Sequence, residues 1–438
     1  MLTYVTTAMT LFGINEPRPG KRWKALFDAV WPAYRSWYLS EGRDARPSLD
    51  TAASHLNRYM PELVPTWRRM VELTGDDELA ATMLTLWDPP KFLPGCSQAA
   101  LTSPPVLARN YDYSPDLFEQ VVYSSKFGDR RVIGTGDCLW GLLDGMNDAG
   151  LAVSLTFGGR PGSAPGFAAP LVLRYLLEVA SNTQEAMSLL RDLPVSMSYN
   201  FTLVDTEGTA LTAYLAPGEP PEFFDSSVAT NHRGDTPEFP DHARRFRSVE
   251  RQRTLRDLVA ADPSAQSLGQ SFLKPPLFND DYDHAFGTLY TAVYRPRDGE
   301  VDYLWRDDTW TRSFSSPEET KTVRLVSREW EGDVGAVGAV STVIPAHSGD
   351  FPAPSQAESW ASFAELSLEE LATLTQRAMN TLAQRADDRA FFELLRLYEV
   401  LGVALGESAR SLAEHGSWAH VAGVAGVSRQ AAWHRWKD

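Results

Sequence analysis

The 438-residue sequence has little of several features that would point to other classes of protein. Only two residues are cysteines, so a disulfide framework is not expected, and each cysteine is either a small buried apolar residue or a nucleophile. The net charge is −16, which argues against a broad surface for nucleic acid or anionic membrane, because either needs a positive field. A small local basic face remains compatible with this charge.

Long apolar runs are also lacking. No stretch approaches the ~20 apolar residues of a membrane-spanning helix, and residues 1–14 are apolar but lack the basic start of a signal peptide. We therefore expect a cytoplasmic protein. The composition, with 43% hydrophobic and 22% charged residues and no internal repeat, is that of a globular chain of two domains or of one large domain with an appendage.

Hydrophobic spacing divides the chain into four regions. Residues 1–95 are predicted to be helical, because aromatic and aliphatic residues recur at helical spacing between residues 15 and 90. Residues 96–330 alternate short β-like runs with helices, which is typical of an α+β domain with helices packed outside antiparallel sheets. Residues 331–358 are rich in Gly, Ala, Ser and Pro and are predicted to be a linker, and residues 359–438 have a helical pattern throughout.

Several elements of the 96–330 region can be predicted individually from these patterns. They are helices at Ala168–Glu178, at Thr183–Leu193 with Thr183 as the N-cap, and at Ala243–Val259, and a final hairpin of Thr288–Tyr294 and Val301–Trp305 around Asp298-Gly299.

The most informative stretch is Leu93–Asp112. Cys96 directly follows Gly95, and Arg109 and Asp112 come about a dozen residues later in an Arg-Asn-x-Asp cluster. This order suits a chain that cuts itself at Gly95–Cys96 and then uses the freed Cys96 as nucleophile. The α-amino group of such a chain start has a pKa near ~7.7–8 and can act as the base, so no histidine partner is required. Cys138 has no such context and is expected to be a buried apolar residue.

Six segments occur in a recognisable order. They are Leu-Pro-Gly-Cys-Ser-Gln, Arg-Asn-Tyr-Asp-Tyr, Asp-Gly-Met-Asn-Asp-Ala-Gly-Leu-Ala-Val-Ser-Leu-Thr-Phe-Gly-Gly, Tyr-Asn-Phe-Thr-Leu-Val-Asp, Ala-Thr-Asn-His and Phe-Gly-Thr-Leu-Tyr-Thr-Ala-Val-Tyr. This set resembles the N-terminal-nucleophile (Ntn) hydrolases of the acyl-CoA:6-aminopenicillanic-acid acyltransferase type, peptidase family C45, which are relatives of the choloylglycine hydrolases. The resemblance covers roughly residues 15–320. It implies an αββα sandwich, autocatalytic cleavage, and hydrolysis or acyl transfer on non-peptide amides or thioesters through an acyl-Cys96 intermediate.

The resemblance also implies roles for individual residues. It makes Cys96 the nucleophile, with Asp112 orienting the terminal amine and Arg109 beside the thiol. The remaining implied site residues are Asn200 as an oxyanion-hole donor, Arg251 as the late arginine of the active site, and Asn231 and His232 near the pocket. In bile-salt-type relatives an asparagine after the Gly-Leu-Ala-Val strand lends an oxyanion contact. It is missing here, so that donor is expected to be a backbone N–H or Thr156.

Each assignment has a plainer alternative. For Arg109 and Asp112 it is an ordinary surface ion pair, and for Asn200 it is a turn residue at the end of a strand. For Arg251 it is a solvated helix face shared with Arg244, Arg245, Arg247 and Arg253. For Asn231 and His232 a structural hydrogen-bonding role is an equal alternative. Residues 1–95 would be either a pro-segment or a companion subunit that stays bound after cleavage.

The end of the chain, at about residues 417–437, has the spacing of a bacterial helix-turn-helix of the Val-Ser-Arg-Gln-Ala-Ala type. Ala422 would lie at the contact between the helices and Gly426 at the turn. Ser428 would cap a second helix that presents Arg429, Gln430 and His434. The alternative is a helical packing or dimerisation module, since the preceding helices are acidic and DNA binding needs a basic footprint.

Two functions therefore stand side by side. The first is a self-processing cysteine amidase or acyltransferase, and the second is a DNA-binding regulator whose hydrolase-like domain senses an acyl compound. The sequence has no metal-ligand cluster, phosphate-binding glycine loop or dinucleotide motif, so no cofactor is expected apart from acyl-CoA as an acyl-donor substrate. The expected partners are a small-molecule amide or acyl thioester, DNA through the tail and a second copy of the chain, with no membrane.

Overall fold

The computed structural model describes residues 4–91, 95–282 and 286–328, together with 408–409, 412–413, 417–425 and 430. The chain divides into two units, Met1–Tyr38 with Arg46–Phe351, and Leu39–Ala45 with Pro352–Asp438. No unit boundary falls at residue 95. The segment before Cys96 therefore belongs largely to the same compact unit as the strands that follow it.

Residues before Gly95 are mainly helical, as predicted. The helices are α1 (Lys21–Tyr38), α2 (Leu49–Tyr59), α3 (Val64–Leu73) and α4 (Glu78–Leu84), with 3₁₀ turns at Arg43–Ala45 and Pro61–Leu63. Ser48 caps α2 by accepting a hydrogen bond from the Thr51 N–H, and Asp77 caps α4 in the same way. These caps satisfy backbone donors that the first turn of a helix leaves free.

The prediction of a wholly helical segment is wrong for residues 4–15, which form strand β1 (Tyr4–Asn15). β1 runs antiparallel to residues 319–328 and parallel to residues 121–124. Both partners are more than a hundred positions away in the chain, so the local pattern carries no sign of the pairing.

Two sheets form the body of the first unit. The strands after β1 are β2 (Gly95–Thr102), β3 (Pro105–Tyr113), β4 (Val121–Ser125), β5 (Val132–Asp137), β6 (Gly141–Asn147), β7 (Ala152–Phe157), β8 (Tyr199–Val204), β9 (Ala210–Leu215), β10 (Glu222–Phe224), β11 (Val228–Ala229), β12 (Asp280–Asp281), β13 (Phe286–Arg295), β14 (Glu300–Trp305), β15 (Asp308–Ser313) and β16 (Glu319–Arg328). As described, the larger sheet has the order β10-β9-β8-β7-β6-β5-β4-β1-β16. The smaller sheet has the order β11-β2-β3-β13-β14-β15, with β12 paired to β13.

Four layers result from the packing of these sheets. Strands β2 and β3 of the smaller sheet contact β7 and β8 of the larger one, so the two sheets lie face to face. Helix α5 (Ala169–Val179) covers the outer face of the larger sheet, and α8 (Ser248–Ala260) and α9 (Ala265–Phe272) cover that of the smaller sheet. This is the αββα sandwich expected of the fold class.

The smaller sheet is buried on both faces. Side chains of successive strand residues point in opposite directions, so each strand contributes side chains to two layers. On β2 and β3, Cys96, Ala100 and Leu107 join the core between the sheets. Ala99 and Ala108 instead join a separate cluster beneath α8 and α9. The start of β2 can therefore present groups to both layers at once.

Local predictions within this unit need three corrections. The N-cap of α6 (Thr183–Leu190) is Asn182, whose side chain accepts from the Glu185 N–H at 2.9 Å, and Thr183 is already helical. The helix predicted at Ala243–Val259 is two helices, α7 (Pro240–Arg245) and α8, separated at Arg247 with a φ of 49°. The hairpin predicted as final is followed by β15 and β16.

In the second unit, Trp418–Ala425 forms helix α10, where the first helix of the helix-turn-helix was predicted. Ala422 is buried, with Val421 and Ala409 beside it, and Gln430 is helical and exposed. Ser428, Arg429 and His434, the turn at Gly426, and the predicted linker 331–358 lie outside the described residues. None of the helices in the described part of the chain combines the length and apolarity needed to cross a bilayer.

Candidate active site

Cys96 is the second residue of β2, and its backbone and side chain contact three different side chains. The Arg109 Nη2 lies 2.9 Å from the Cys96 Sγ. The Cys96 N–H donates to Asn231 Oδ1 at 3.1 Å, and the Cys96 carbonyl accepts from Arg251 Nη1 at 2.6 Å. Cys96 itself is completely buried.

Arg109 and Asp112 reach opposite sides of β3, because residues three apart in a strand point to opposite faces. Arg109 lies between the two sheets with the Cys96 thiol, whereas Asp112 lies under α8 with Arg251. The Arg-Asn-x-Asp spacing therefore sends one charge to the thiol and the other to the backbone side of Cys96. Both residues are fully buried, so the alternative of a surface ion pair is wrong.

Asp112 is directly opposite Gly95 in the β2–β3 ladder. Its Oδ1 accepts from Thr288 Oγ1 at 2.7 Å, and its Oδ2 is 3.5 Å from Arg251 Nη1. Among the described residues, no group donates a hydrogen bond to that Oδ2. Burial raises the pKa of Asp112 to about 6, although Arg251 and the Thr288 hydroxyl favour the charged form. A buried acceptor without a donor is thus available on the residue that faces Gly95, next to the predicted cleavage site.

Arg251 comes from the buried face of α8. It donates to the Cys96 carbonyl, to Ser97 Oγ at 2.7 Å and to Asn231 Oδ1 at 2.6 Å. Ser248 and Leu255 lie on the same buried face, while Arg247 and Arg253 are exposed. The family resemblance pointed to Arg251, but helical spacing alone could not separate it from the four neighbouring arginines, because the break at Arg247 shifts the helical phase on which that choice depends.

Asn231 contacts Cys96 directly, whereas Asn200 does not. The Asn200 amide nitrogen donates to the backbone carbonyls of Thr230 and His232, at 2.9 and 3.0 Å. Thr156 Oγ1 also donates to the Thr230 carbonyl, at 2.8 Å. In this structure Asn200 and Thr156 therefore hold the segment that carries Asn231, and neither directs a donor at the thiol.

His232 points away from Cys96. Its Nδ1 is 2.6 Å from Ser248 Oγ at the start of α8, and burial lowers its pKa to about 4. The ring is therefore neutral at physiological pH and ties the Asn231 segment to the helix that supplies Arg251. A small cavity of about 40 Å³ adjoins it, lined in part by Asn200, Gln252 and Arg256, and does not reach Cys96.

Asp144 belongs to this site but was not assigned a role from the sequence. Its Oδ2 accepts from Arg109 Nη1 at 2.7 Å, and the same nitrogen donates to the Leu143 carbonyl at 2.9 Å. The sequence did carry a signal, because Asp144 is the only charged residue within the otherwise apolar run Leu142–Met146. Among the described residues, no group of three or more His, Cys, Asp and Glu side chains could hold a metal ion.

The state of the Cys96 thiol depends on opposing effects. Burial raises its pKa, while the Arg109 guanidinium lowers it and Asp112 raises it further. The net shift is upward, so the thiol is protonated in the intact chain. Conversion to a thiolate then needs a base close to Cys96.

Comparison with known proteins gives one family and several structures. Residues 101–310 match the sequence model of the acyl-coenzyme A:6-aminopenicillanic acid acyl-transferase family, a span that starts just after Cys96 and contains the other predicted catalytic residues. No curated protein sequence matches the chain significantly.

Three similar solved structures illustrate the range of matches. Conjugated bile acid hydrolase from Clostridium perfringens is 13% identical, with 56% of this chain and 100% of that chain covered and a TM-score of 0.34. Penicillin V acylase from Agrobacterium tumefaciens is 13% identical, with 52% and 90% covered and a TM-score of 0.34. The N-acylethanolamine-hydrolyzing acid amidase ortholog of Caenorhabditis elegans is 15% identical, with 49% and 98% covered and a TM-score of 0.35.

Proposed function

We propose that this chain, whose residues 101–310 match the sequence model of the acyl-coenzyme A:6-aminopenicillanic acid acyl-transferase family, is a self-processing Ntn amide hydrolase or acyltransferase with Cys96 as its nucleophile. The arrangement around Cys96 carries the proposal. Its thiol, amide nitrogen and carbonyl each have a buried polar partner: Arg109, Asn231 and Arg251 respectively. Any buried residue needs partners for its backbone N–H and C=O, but a structural cysteine does not need a buried cation on its thiol, and here Arg109 supplies one.

Activation begins with attack of the Cys96 Sγ on the Gly95 carbonyl carbon. The Gly95–Cys96 C–N bond breaks, the proton lost by the thiol ends on the Cys96 nitrogen, and Gly95 becomes a thioester on Cys96. Water then hydrolyses the thioester to a Gly95 carboxylate and a free thiol. Glycine suits position 95 because the attack needs close backbone approach.

Catalysis uses the same contacts after cleavage. The new α-amino group, with a pKa near ~7.7–8, accepts the thiol proton, and Arg109 stabilises the thiolate. Asn231 Oδ1 already accepts from this nitrogen, and the second acceptor is Asp112 Oδ2. Thiolate attack on an amide or thioester carbonyl forms acyl-Cys96 and releases the amine or thiol. Water or an amine then accepts the acyl group.

Asn231 is a better candidate than Asn200 for the oxyanion donor. Its Nδ2 makes only a long 3.3 Å contact with the Phe157 carbonyl, while the Asn200 donors are both engaged. A fixed amide donor at a developing oxyanion contributes roughly 3 kcal/mol to transition-state stabilisation. We therefore assign the oxyanion contact to Asn231 and a supporting role to Asn200 and Thr156.

Residues 1–95 are best understood as a companion subunit after cleavage. β1 has a hydrogen-bonded neighbour on both sides, and the Trp23 indole donates to the Leu139 carbonyl at 3.1 Å. Releasing this fragment would break a sheet and expose a buried aromatic core. We expect both fragments to co-elute in gel filtration under native conditions.

Intact mass of the purified protein tests self-processing. We expect two fragments that join at Gly95/Cys96, a single chain for Cys96→Ala, and normal cleavage for the matched variant Cys138→Ala. A single uncut wild-type chain without thiol-dependent labelling would exclude the activation scheme. Hydroxylamine added during turnover tests for the acyl-enzyme, because an acyl-Cys96 thioester reacts with it to give a hydroxamate.

DNA binding by the tail and a cytoplasmic location stay predictions of the sequence. For the tail, the described helix α10 is compatible with a first helix of the motif. Mobility shifts with random duplex DNA, with and without residues 410–438, decide this point. Equal or absent binding by the two chains would remove the regulator hypothesis.

A further inference from the structure

Asp144 is a buried carboxylate with four side-chain hydrogen-bond donors. Oδ2 accepts from Arg109 Nη1 at 2.7 Å and from the Tyr290 hydroxyl at 2.5 Å. Oδ1 accepts from Thr135 Oγ1 at 3.0 Å and from the Tyr294 hydroxyl. Arg109, Tyr290 and Tyr294 belong to the smaller sheet, and Thr135 belongs to the larger sheet. Asp144 on β6 therefore links the two sheets through hydrogen bonds next to Cys96.

Arg109 is held tightly by this acid. Its guanidinium is fully buried, with Nη1 on Asp144 and the Leu143 carbonyl and Nη2 on the Cys96 Sγ. The rings of Tyr111 and Tyr290 lie 5.0 and 5.9 Å from its centre. Among the described residues, its Nε has no hydrogen-bond partner. Among the described residues, Asp144 and Cys96 are therefore the negative or potentially negative side chains that this cation contacts directly. Asp112 and Asp137 act on it only at longer range.

We propose that Asp144 is a positioning residue that sets how much of the Arg109 charge is available to the Cys96 thiolate, and that the Tyr290 hydroxyl adjusts this balance. The proposal rests on the function proposed above and concerns the readiness of its nucleophile. Three hydroxyl donors spread the Asp144 charge, which weakens its hold on Arg109 and leaves more positive potential at Cys96.

This balance predicts opposite effects for two changes. Tyr290→Phe keeps the ring but removes a donor from the oxygen that Arg109 shares, so Asp144 holds Arg109 more strongly and the thiol pKa rises. Asp144→Asn removes the competing charge, so Arg109 acts on the thiolate alone and the thiol pKa falls. If Asp144 and Tyr290 only stabilised the fold, the two substitutions would not shift the thiol pKa in opposite directions.

Other charged or titratable groups around the thiol stay unchanged in these variants. They are Asp112 and Tyr111 on β3, Arg251 on α8 and Tyr199 on β8. Tyr303→Phe is the matched control, because its hydroxyl contacts Thr135 and Tyr294 but not Asp144. Like Tyr290→Phe, this change removes a tyrosine hydroxyl from the core between the two sheets, but that hydroxyl lies one hydrogen bond further from Arg109.

The experiment is an ultraviolet titration of thiolate absorbance in the full chain, each variant measured against its own Cys96→Ser counterpart. Tyr290→Phe should lower the thiolate-to-thiol ratio at a given pH by roughly threefold to tenfold, and Tyr303→Phe should leave it within about twofold. Asp144→Asn should raise the ratio. Equal shifts for Tyr290→Phe and Tyr303→Phe would overturn the proposal, even if Asp144→Asn does not fold.

The titration does not need an accessible or processed thiol. A wild-type chain that stays uncut would therefore refute the proposed self-processing, whereas the titrations would still show whether Asp144 and Tyr290 change the thiolate-to-thiol ratio of Cys96. Conversely, normal cleavage with identical titrations in all variants would retain the proposed function and reject the role of Asp144.

Discussion

The two cysteines of this protein are both buried, yet their surroundings have opposite charge. Cys96 lies at the start of a strand, with Arg109 on its thiol and Arg251 on its carbonyl. Cys138 lies in the turn between β5 and β6, at a φ of 56°, near the carboxyls of Asp137 and Glu119. Burial and these two acids raise the pKa of the Cys138 thiol well above its usual value. Burial alone therefore does not distinguish the two thiols, whereas the sign of the charge in contact with each does, and a cation beside the thiol is what the proposed nucleophile requires.

The largest expected effect follows from removing the cation at Cys96. Arg109→Met should abolish cleavage on the time scale of purification, because the thiolate loses its partner. It should also destabilise the fold by about 3–5 kcal/mol, since Asp144 is left buried without its counter-charge. The double variant Arg109→Met/Asp144→Asn should recover much of the stability in thermal unfolding but no cleavage by intact mass. Cleavage at the wild-type rate in either chain would contradict the comparison.

A second test separates the two asparagines near Cys96. Asn231→Ala should lower kcat for a model amide by roughly 10²–10³-fold, because it removes the proposed oxyanion donor. Asn200→Ala should act mainly on stability, since its amide holds the Thr230 and His232 carbonyls. Steady-state kinetics of both variants measure the effect on kcat, and denaturant unfolding measures the effect on stability. The assignment fails if Asn200→Ala has the larger effect on kcat and the smaller one on stability.

Asp112 should make activity at the Cys96 site depend on pH. With a pKa of about 6, Asp112 is ionised above this value and protonated below it. If the carboxylate orients the terminal amine, kcat/KM should fall as pH decreases through about 6. Asp112→Asn should be about tenfold slower at pH 7.5 and should lose the inflection near pH 6, so that only the titration of the α-amino group remains on the acid side. A wild-type profile that is flat between pH 5 and 7 would contradict the role.

The smallest effect on activity is expected around Cys138. Glu119 accepts from the Leu139 N–H at 2.6 Å and from the Tyr34 hydroxyl, and burial beside Asp137 raises its pKa to about 8. The folded state thus retains a proton that the unfolded chain releases at acidic pH, so this group's contribution to stability falls as pH rises from about 4.5 towards 8. Each unit of difference in pKa corresponds to about 1.4 kcal/mol.

Glu119→Gln should therefore flatten the pH dependence of the free energy of unfolding over this range while leaving cleavage within about twofold. Urea unfolding at pH 5 and pH 8 measures the difference. An unchanged slope with pH would show that Glu119 is ionised in the folded protein.

Much of the fold could be predicted from local patterns. The helices before Gly95, helices α5 and α6 and the hairpin of β13 and β14 were expected, because apolar spacing and turn residues mark them directly. Strands β1, β6, β15 and β16 were missed, as were the short strands β10, β11 and β12. β1 and β16 are stabilised by pairing with each other across most of the unit, which no window of sequence reports.

The candidate site also contains some residues that the sequence indicated and others that it did not. Cys96, Arg109 and Asp112 were found because they sit close together in sequence, and strand geometry then determines which face each one takes. Asn231 was set behind Asn200, and Asp144 was overlooked. Both contacts depend on how β6 and the segment after β11 meet β2 and β3, so sequence spacing could not rank them.

The sequence by itself determined which chemical groups the protein can bring to an acyl carbonyl, because Gly95-Cys96 and the Arg-Asn-x-Asp cluster are local and their strand alternation is a property of the backbone. Only the tertiary structure decided which of five arginines near residue 250 reaches Cys96, which asparagine holds its nitrogen, and which acid holds Arg109. The physical reason is that a buried charge is stable only beside a partner. In this fold those partners come from strands and helices far apart in the chain.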